Sequence, residues 1–161
     1  MATKTIVFAM VTFLHDLFTA VWIGGLITLG LTVMPSIKKM LGKGPETKKL
    51  MDKIQKRQSV LTYVSLVGLV LTGLLQANRT SEFLGLFSLG NTYSAVLAVK
   101  HILVIAMIVI ALYRSLVLSK ATTHAQEKLK AALLILNIVF GVGILLLSGF
   151  ATAISSSIPA I

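Results

Sequence analysis

An all-α integral membrane protein, built as a four-helix bundle, is the fold class this sequence predicts. Of its 161 residues, 56% are hydrophobic and only 12% charged, far from the balance of a soluble domain. Four apolar stretches, at about 6–34, 59–76, 93–118 and 131–153, each approach or exceed the roughly 20 helical residues that cross a hydrocarbon core. Backbone polar groups in lipid must bond within their own segment, so each stretch is expected to be a helix, and one transmembrane domain is expected over 1–161.

The first stretch follows Lys4 and ends at Pro35-Ser36-Ile37-Lys38-Lys39. It is too long for a signal peptide and lacks a small-residue cleavage site, so it is read as a retained span. Gly42 to Pro45 breaks the chain, and Glu46 to Arg57 is compatible with an amphipathic extension of the second helix by a turn or two. Ala77 to Thr92 carries Phe83, Leu86 and Phe87 among Gly and Ser, a composition suited to lying along the membrane interface as a lid. Val67-Gly68-Leu69-Val70-Leu71-Thr72-Gly73 and Val142-Gly143-Ile144-Leu145-Leu146-Leu147-Ser148-Gly149 are similar. Two helical hairpins related by a pseudo-two-fold axis would account for that repeat.

Charge orients the spans. Lys38, Lys39, Lys43, Lys48, Lys49, Lys53, Lys56 and Arg57 separate the first two, and Lys120, Lys128 and Lys130 separate the last two, while Lys4 and Arg79 lie on the other side. The positive-inside bias predicts both termini outside and both basic loops in the cytoplasm, in the inner membrane of a prokaryote. The net charge of +10 follows from this topology and also favours anionic lipid. Nucleic acid is excluded as a partner, since no aromatic residues interleave the short basic loops. With no cysteine, thiolate metal sites and covalently attached haem are excluded too.

Two dipeptides, His15-Asp16 and Lys100-His101, place ionisable groups inside membrane segments, where they usually mark a cofactor, ion or proton site. His15 lies roughly 13 Å and His101 roughly 12 Å below the outer ends of their apolar runs, at about 1.5 Å per residue. Thr12, His15, Thr19 and Trp22 fall on one stripe of the first helix. Lys100 is placed to neutralise Asp16 beside two facing imidazoles. Paired histidines between helices of a bundle suit one haem b, noncovalently held for electron transfer. Trp22 would pack on it, and glycines such as Gly25, Gly68 and Gly73 would make room for the macrocycle. Lys100, Gln76, Asn78, Arg79 and Asn91 are candidate propionate donors. Copper, held by Met10, His15, His101 and Met107, is the alternative cofactor; a structural subunit whose histidines only pack is the second alternative. A haem-dependent oxidoreductase stays open, as do the redox partner and a homo-oligomer.

His15 followed by Trp22-Ile23-Gly24-Gly25, the basic stretch to Arg57, Leu71-Thr72-Gly73, Thr92-Tyr93 to Lys100, and Tyr113-Arg114 together resemble the membrane domain of the CopD copper-resistance family over nearly the whole chain. The spacing of His15 to Trp22 and the position of Lys100 are also similar to the HemJ-type protoporphyrinogen oxidases. The resemblance implies haem b binding, with His15 and Lys100 as the shared functional positions. Leu26 to Met34 lacks the Pro-Arg and following His of the HemJ pattern. The chain is also shorter than the longer copper-resistance proteins.

Overall fold

The computed structural model describes residues 2–42, 44–77, 83–118 and 123–156. Among them it is all-helical, with four helices long and apolar enough to cross a membrane: Thr3–Leu41, Pro45–Gln76, Thr92–Leu116 and His124–Ser156. Lys43, Asn78, Arg79 and Lys120, which entered the topology and propionate expectations, lie outside the described residues. Contacts divide the chain into two compact units, Met1–Gln76 and Ala77–Ile161. Each is a helical hairpin.

The first helix runs past its expected end at Met34 to Leu41, through Pro35. Two wide turns, Ala20–Gly24 and Leu29–Val33, have π geometry. Proline lacks an N–H, and its ring presses on the carbonyl one turn back, which breaks a regular helix. Here the chain has already widened, with the Met34 N–H bonded to the Leu29 carbonyl five residues behind, so the ring is accommodated without a break. Lys38 and Lys39 therefore sit in the last turn of this helix, where cations complement the helix dipole.

Gly42 ends it at φ 70°, ψ −152°, a backbone conformation essentially restricted to glycine. The hydroxyl of Thr47 reaches back to the Leu41 carbonyl at 3.2 Å. The second helix starts at Pro45, not with a turn or two added before Ser59, and runs unbroken to Ala77. Pro45 and Glu46 suit a helix N-terminus through fixed φ and negative charge. The amphipathic extension is thus longer than its sequence suggested.

Within the second unit, the side chain of Asn91 accepts the Ser94 N–H at 2.7 Å and caps the third helix. The fourth begins seven residues before its apolar run, at His124. A reciprocal capping box explains this: the Gln126 N–H donates to Thr123 Oγ1 at 3.3 Å, and the Thr123 N–H to Gln126 Oε1 at 3.2 Å. The third and fourth helices pack closely, and the fourth buries Leu134, Asn137, Ile138, Gly141, Ile144 and Ala151. Steps of three, four and seven residues connect them into one stripe. Small Gly141 and Ala151 let the backbones approach, as is usual between membrane helices.

Candidate functional site

In the first unit the helices run antiparallel and meet through side chains. His15 Nδ1 lies 2.9 Å from Thr72 Oγ1, the Phe18 ring covers Gly68, and the Gln58 amide covers Gly25. Gln55 and Met34 meet near the basic end. A methyl group on Gly68 or Gly25 would overlap the side chain seated there. At Gly73 the nearest foreign atom is His15 Cε1, at 3.7 Å from such a methyl position, so the imidazole passes over the second helix with normal contact. The close approach permitted by Gly25 and Gly68 is used by the protein's own side chains.

The hydrogen bonds around Thr72 assign the tautomer of His15. Thr72 Oγ1 donates to the Gly68 carbonyl at 2.7 Å. A hydroxyl has one proton; with it placed on Gly68, Thr72 can only accept at its contact with His15. Nδ1 therefore carries the ring proton and Nε2 the lone pair. A histidine whose Nδ1–H is tied to a neighbour in this way is oriented as metal-ligating histidines are. The Thr19 hydroxyl bonds the His15 carbonyl at 2.8 Å, adding polar contacts on the stripe read from the sequence. Thr12, His15 and Thr19 are half-buried on it, and Trp22 is buried. Asp16, beside the stripe, is exposed.

In the second unit His101 is half-buried on the third helix, next to half-buried Lys100. Its ring meets Phe87 edge-on, with centroids 6.2 Å apart and planes at 61°. The Leu84 N–H bonds Ser94 Oγ at 3.1 Å, which pins the loop to the start of the helix. Of the aromatic pair expected in a lid, Phe87 thus packs on the histidine while remaining largely exposed. The His101 ring lies beside the backbone of Leu97 and Leu86, yet its buried Nδ1 has no partner of hydrogen-bonding geometry among the described residues. Asn91, a candidate propionate donor, spends its side chain on the helix cap.

Of the copper candidates, Met10 is 54% exposed and Met107 fully buried. The Asn137 amide donates to the Met107 carbonyl at 3.4 Å. Among the described residues no group of three or more His, Asp or Glu forms a metal cluster.

Sequence reasoning missed three things. Thr72, quoted only within the internal repeat and the family resemblance, is the group that orients His15. Gln58 and Phe18 fill the glycine gaps. The second helix also carries a polar row, Gln58, Thr62, Ser65, Thr72 and Gln76, at spacings of three, four and seven residues. That row was readable as a stripe, but it holds no titratable group and so escaped a search for charges. No family model, curated protein or solved structure matches the chain.

Proposed function

We propose that the protein is a CopD-like membrane cytochrome that binds one haem b, which His15 and His101 would hold, and that it exchanges electrons through it. The observation that carries this reading is the Thr72 bond, which leaves the lone pair of His15 on Nε2. Half-buried His101 fits as well, since its Nδ1 atom makes no hydrogen bond of good geometry among the described residues and a water or a metal ion would satisfy it. The pairing of the two rests on their similar depth, counted along each helix. The first helix starts a turn farther out than its apolar run, but the added Thr3, Lys4 and Thr5 are polar, so the apolar depth is unchanged.

Bound haem b would supply reversible one-electron chemistry. The chain's own part is to hold and insulate it. Thr72 fixes the ring of His15, Trp22 adds a large apolar surface to the stripe, and Phe87 shields one edge of His101. Lys100 places a positive charge beside His101, where it favours an anionic propionate or the reduced centre. In this reading the termini lie outside and the basic loops in the cytoplasm of a prokaryotic cell.

Expression with added haem, purification, and a reduced-minus-oxidised absorption spectrum test it. One haem per chain with a low-spin six-coordinate b-type spectrum is expected. A colourless protein would overturn it, and stoichiometric Cu(I) uptake by that colourless protein would put copper in its place.

A further inference from the structure

Two cations stand opposite each other at one end of the second hairpin. The Asn137 amide bonds the Met107 carbonyl, and Leu103 Cδ1 lies 3.6 Å from where a Cβ on Gly143 would stand, so the third and fourth helices run antiparallel. Seven residues make two turns and return a helix to nearly the same face. Counted from the Met107–Asn137 contact toward the loop between the helices, that step reaches Arg114 on one helix and Lys130 on the other. Both therefore continue the seam in which Met107 and Asn137 are fully buried, about 10.5 Å farther along it.

Burial agrees with that placement. Residues 123–129 are all exposed, and Lys130 is the first of the fourth helix that is not. Arg114 is half-buried beside exposed Tyr113, and its buried Nε has no hydrogen-bond partner among the described residues. The third and fourth helices carry a single carboxylate between them, Glu127, exposed in the first turn of the fourth. It cannot neutralise Arg114, Lys128 and Lys130 together. Like charges facing across a seam repel, and an anion between them reverses the sign.

The surroundings select the anion. Arg114 lies two residues from Leu116, the last of the third helix, a depth from which a long cationic side chain reaches the headgroups. Tyr113 on the same turn is a residue type enriched at that level. Tyr113, Leu116, Val117 and Leu129, next to the two cations in the chain, are exposed and offer apolar surface to acyl chains. A guanidinium presents two parallel N–H groups that match two phosphate oxygens, and basic pockets between membrane helices take anionic headgroups. A free phosphate would use only the charges, whereas a phospholipid uses the charges and the apolar surface.

We propose that Arg114 and Lys130 form a binding site for the phosphate of one anionic phospholipid at the loop end of the second hairpin. Arg114 takes two phosphate oxygens, and Lys130 meets the same group from the facing helix. The acyl chains lie against the exposed apolar residues of that end. The site is built within the second hairpin alone and holds with or without haem.

The test is lipid retention by the full chain in neutral detergent, read by native mass spectrometry during titration with phosphatidylglycerol or phosphatidylcholine of the same acyl chains. Wild type is expected to retain one phosphatidylglycerol several-fold more strongly than phosphatidylcholine. Arg114→Gln and Lys130→Gln should each remove most of that preference, and Arg114→Lys should keep part of it. Lys128→Gln, which removes an exposed charge from the same helix, should keep it all. An unchanged preference in Arg114→Gln, or an equal loss in Lys128→Gln, would overturn the proposal. Displacement of the lipid by an equal concentration of inorganic phosphate would overturn phospholipid as the occupant. Should Arg114→Gln fail to fold, a phosphatidylglycerol with a photoreactive group next to its phosphate decides on wild type. Labelling is expected within 112–117 and 129–133, and labelling that spares both ranges would overturn the site.

Discussion

Where the second helix turns Thr62, Ser65 and Thr72 inward and leaves its valines to the lipid, the fourth turns Leu134, Ile138 and Ile144 inward. The second hairpin has backbones close together with small residues between them. In the first, Phe18, Gln58 and His15 stand between the backbones and reach across to the glycines or to Thr72. Lipid gives no hydrophobic force between helices, so an interior is held by packing and by hydrogen bonds. The second hairpin relies on packing. The first sets polar contacts and side chains seated on glycines beside its buried Trp22, Ile23, Leu26 and Leu29.

Substitutions that exchange these two strategies should differ in size. The largest stability effect is expected from Gly68→Leu, which drives the Phe18 ring from its seat; overpacking of this kind costs up to about 3 kcal/mol. Gly24→Ala, with nothing within 4 Å of the added carbon, should change stability by less than about 0.5 kcal/mol. Unfolding titrations in mixed micelles would compare the two, and equal effects would mean that the first hairpin is not built around that contact.

Next comes Thr72→Val, which keeps the shape and removes the partner of His15 Nδ1. Loss of such an orienting group weakens metal affinity by about tenfold or more, and haem titration of the apoprotein would measure it. Thr72→Ser, which keeps the hydroxyl, should recover most of the affinity.

Asn137→Leu should have the smallest effect. The Asn137 Oδ1 is buried without a partner among the described residues, and its amide makes a single bond of 3.4 Å. Polar contacts between membrane helices average about 0.6 kcal/mol, and removing an orphaned acceptor offsets that loss. Stability equal to wild type or slightly higher is expected from the same unfolding titration. A loss as large as that of Gly68→Leu would show that the second hairpin too depends on a polar contact.

The four helices were legible because length and hydropathy alone decide them in lipid. The ends were less so, since they depend on local hydrogen bonds that hydropathy ignores. The Thr123 and Gln126 box carries the fourth helix back to His124, and a wide turn at Leu29–Val33 carries the first through Pro35. Of the candidate site, the stripe of Thr12, His15, Thr19 and Trp22 was readable from the period of the helix. The partner of His15 was not, because choosing Thr72 among several hydroxyls requires the register between two helices. The glycines were read as room for a ligand; two of them hold Phe18 and Gln58, a distinction that only packing reveals.

The most direct measurement is the oxidised and reduced spectrum of haem-loaded His15→Ala beside that of His124→Ala, an exposed histidine at the start of the fourth helix. If His15 is an axial ligand through Nε2, His15→Ala loses the six-coordinate low-spin spectrum while His124→Ala keeps it. An unchanged low-spin spectrum in His15→Ala would contradict haem ligation by the first hairpin.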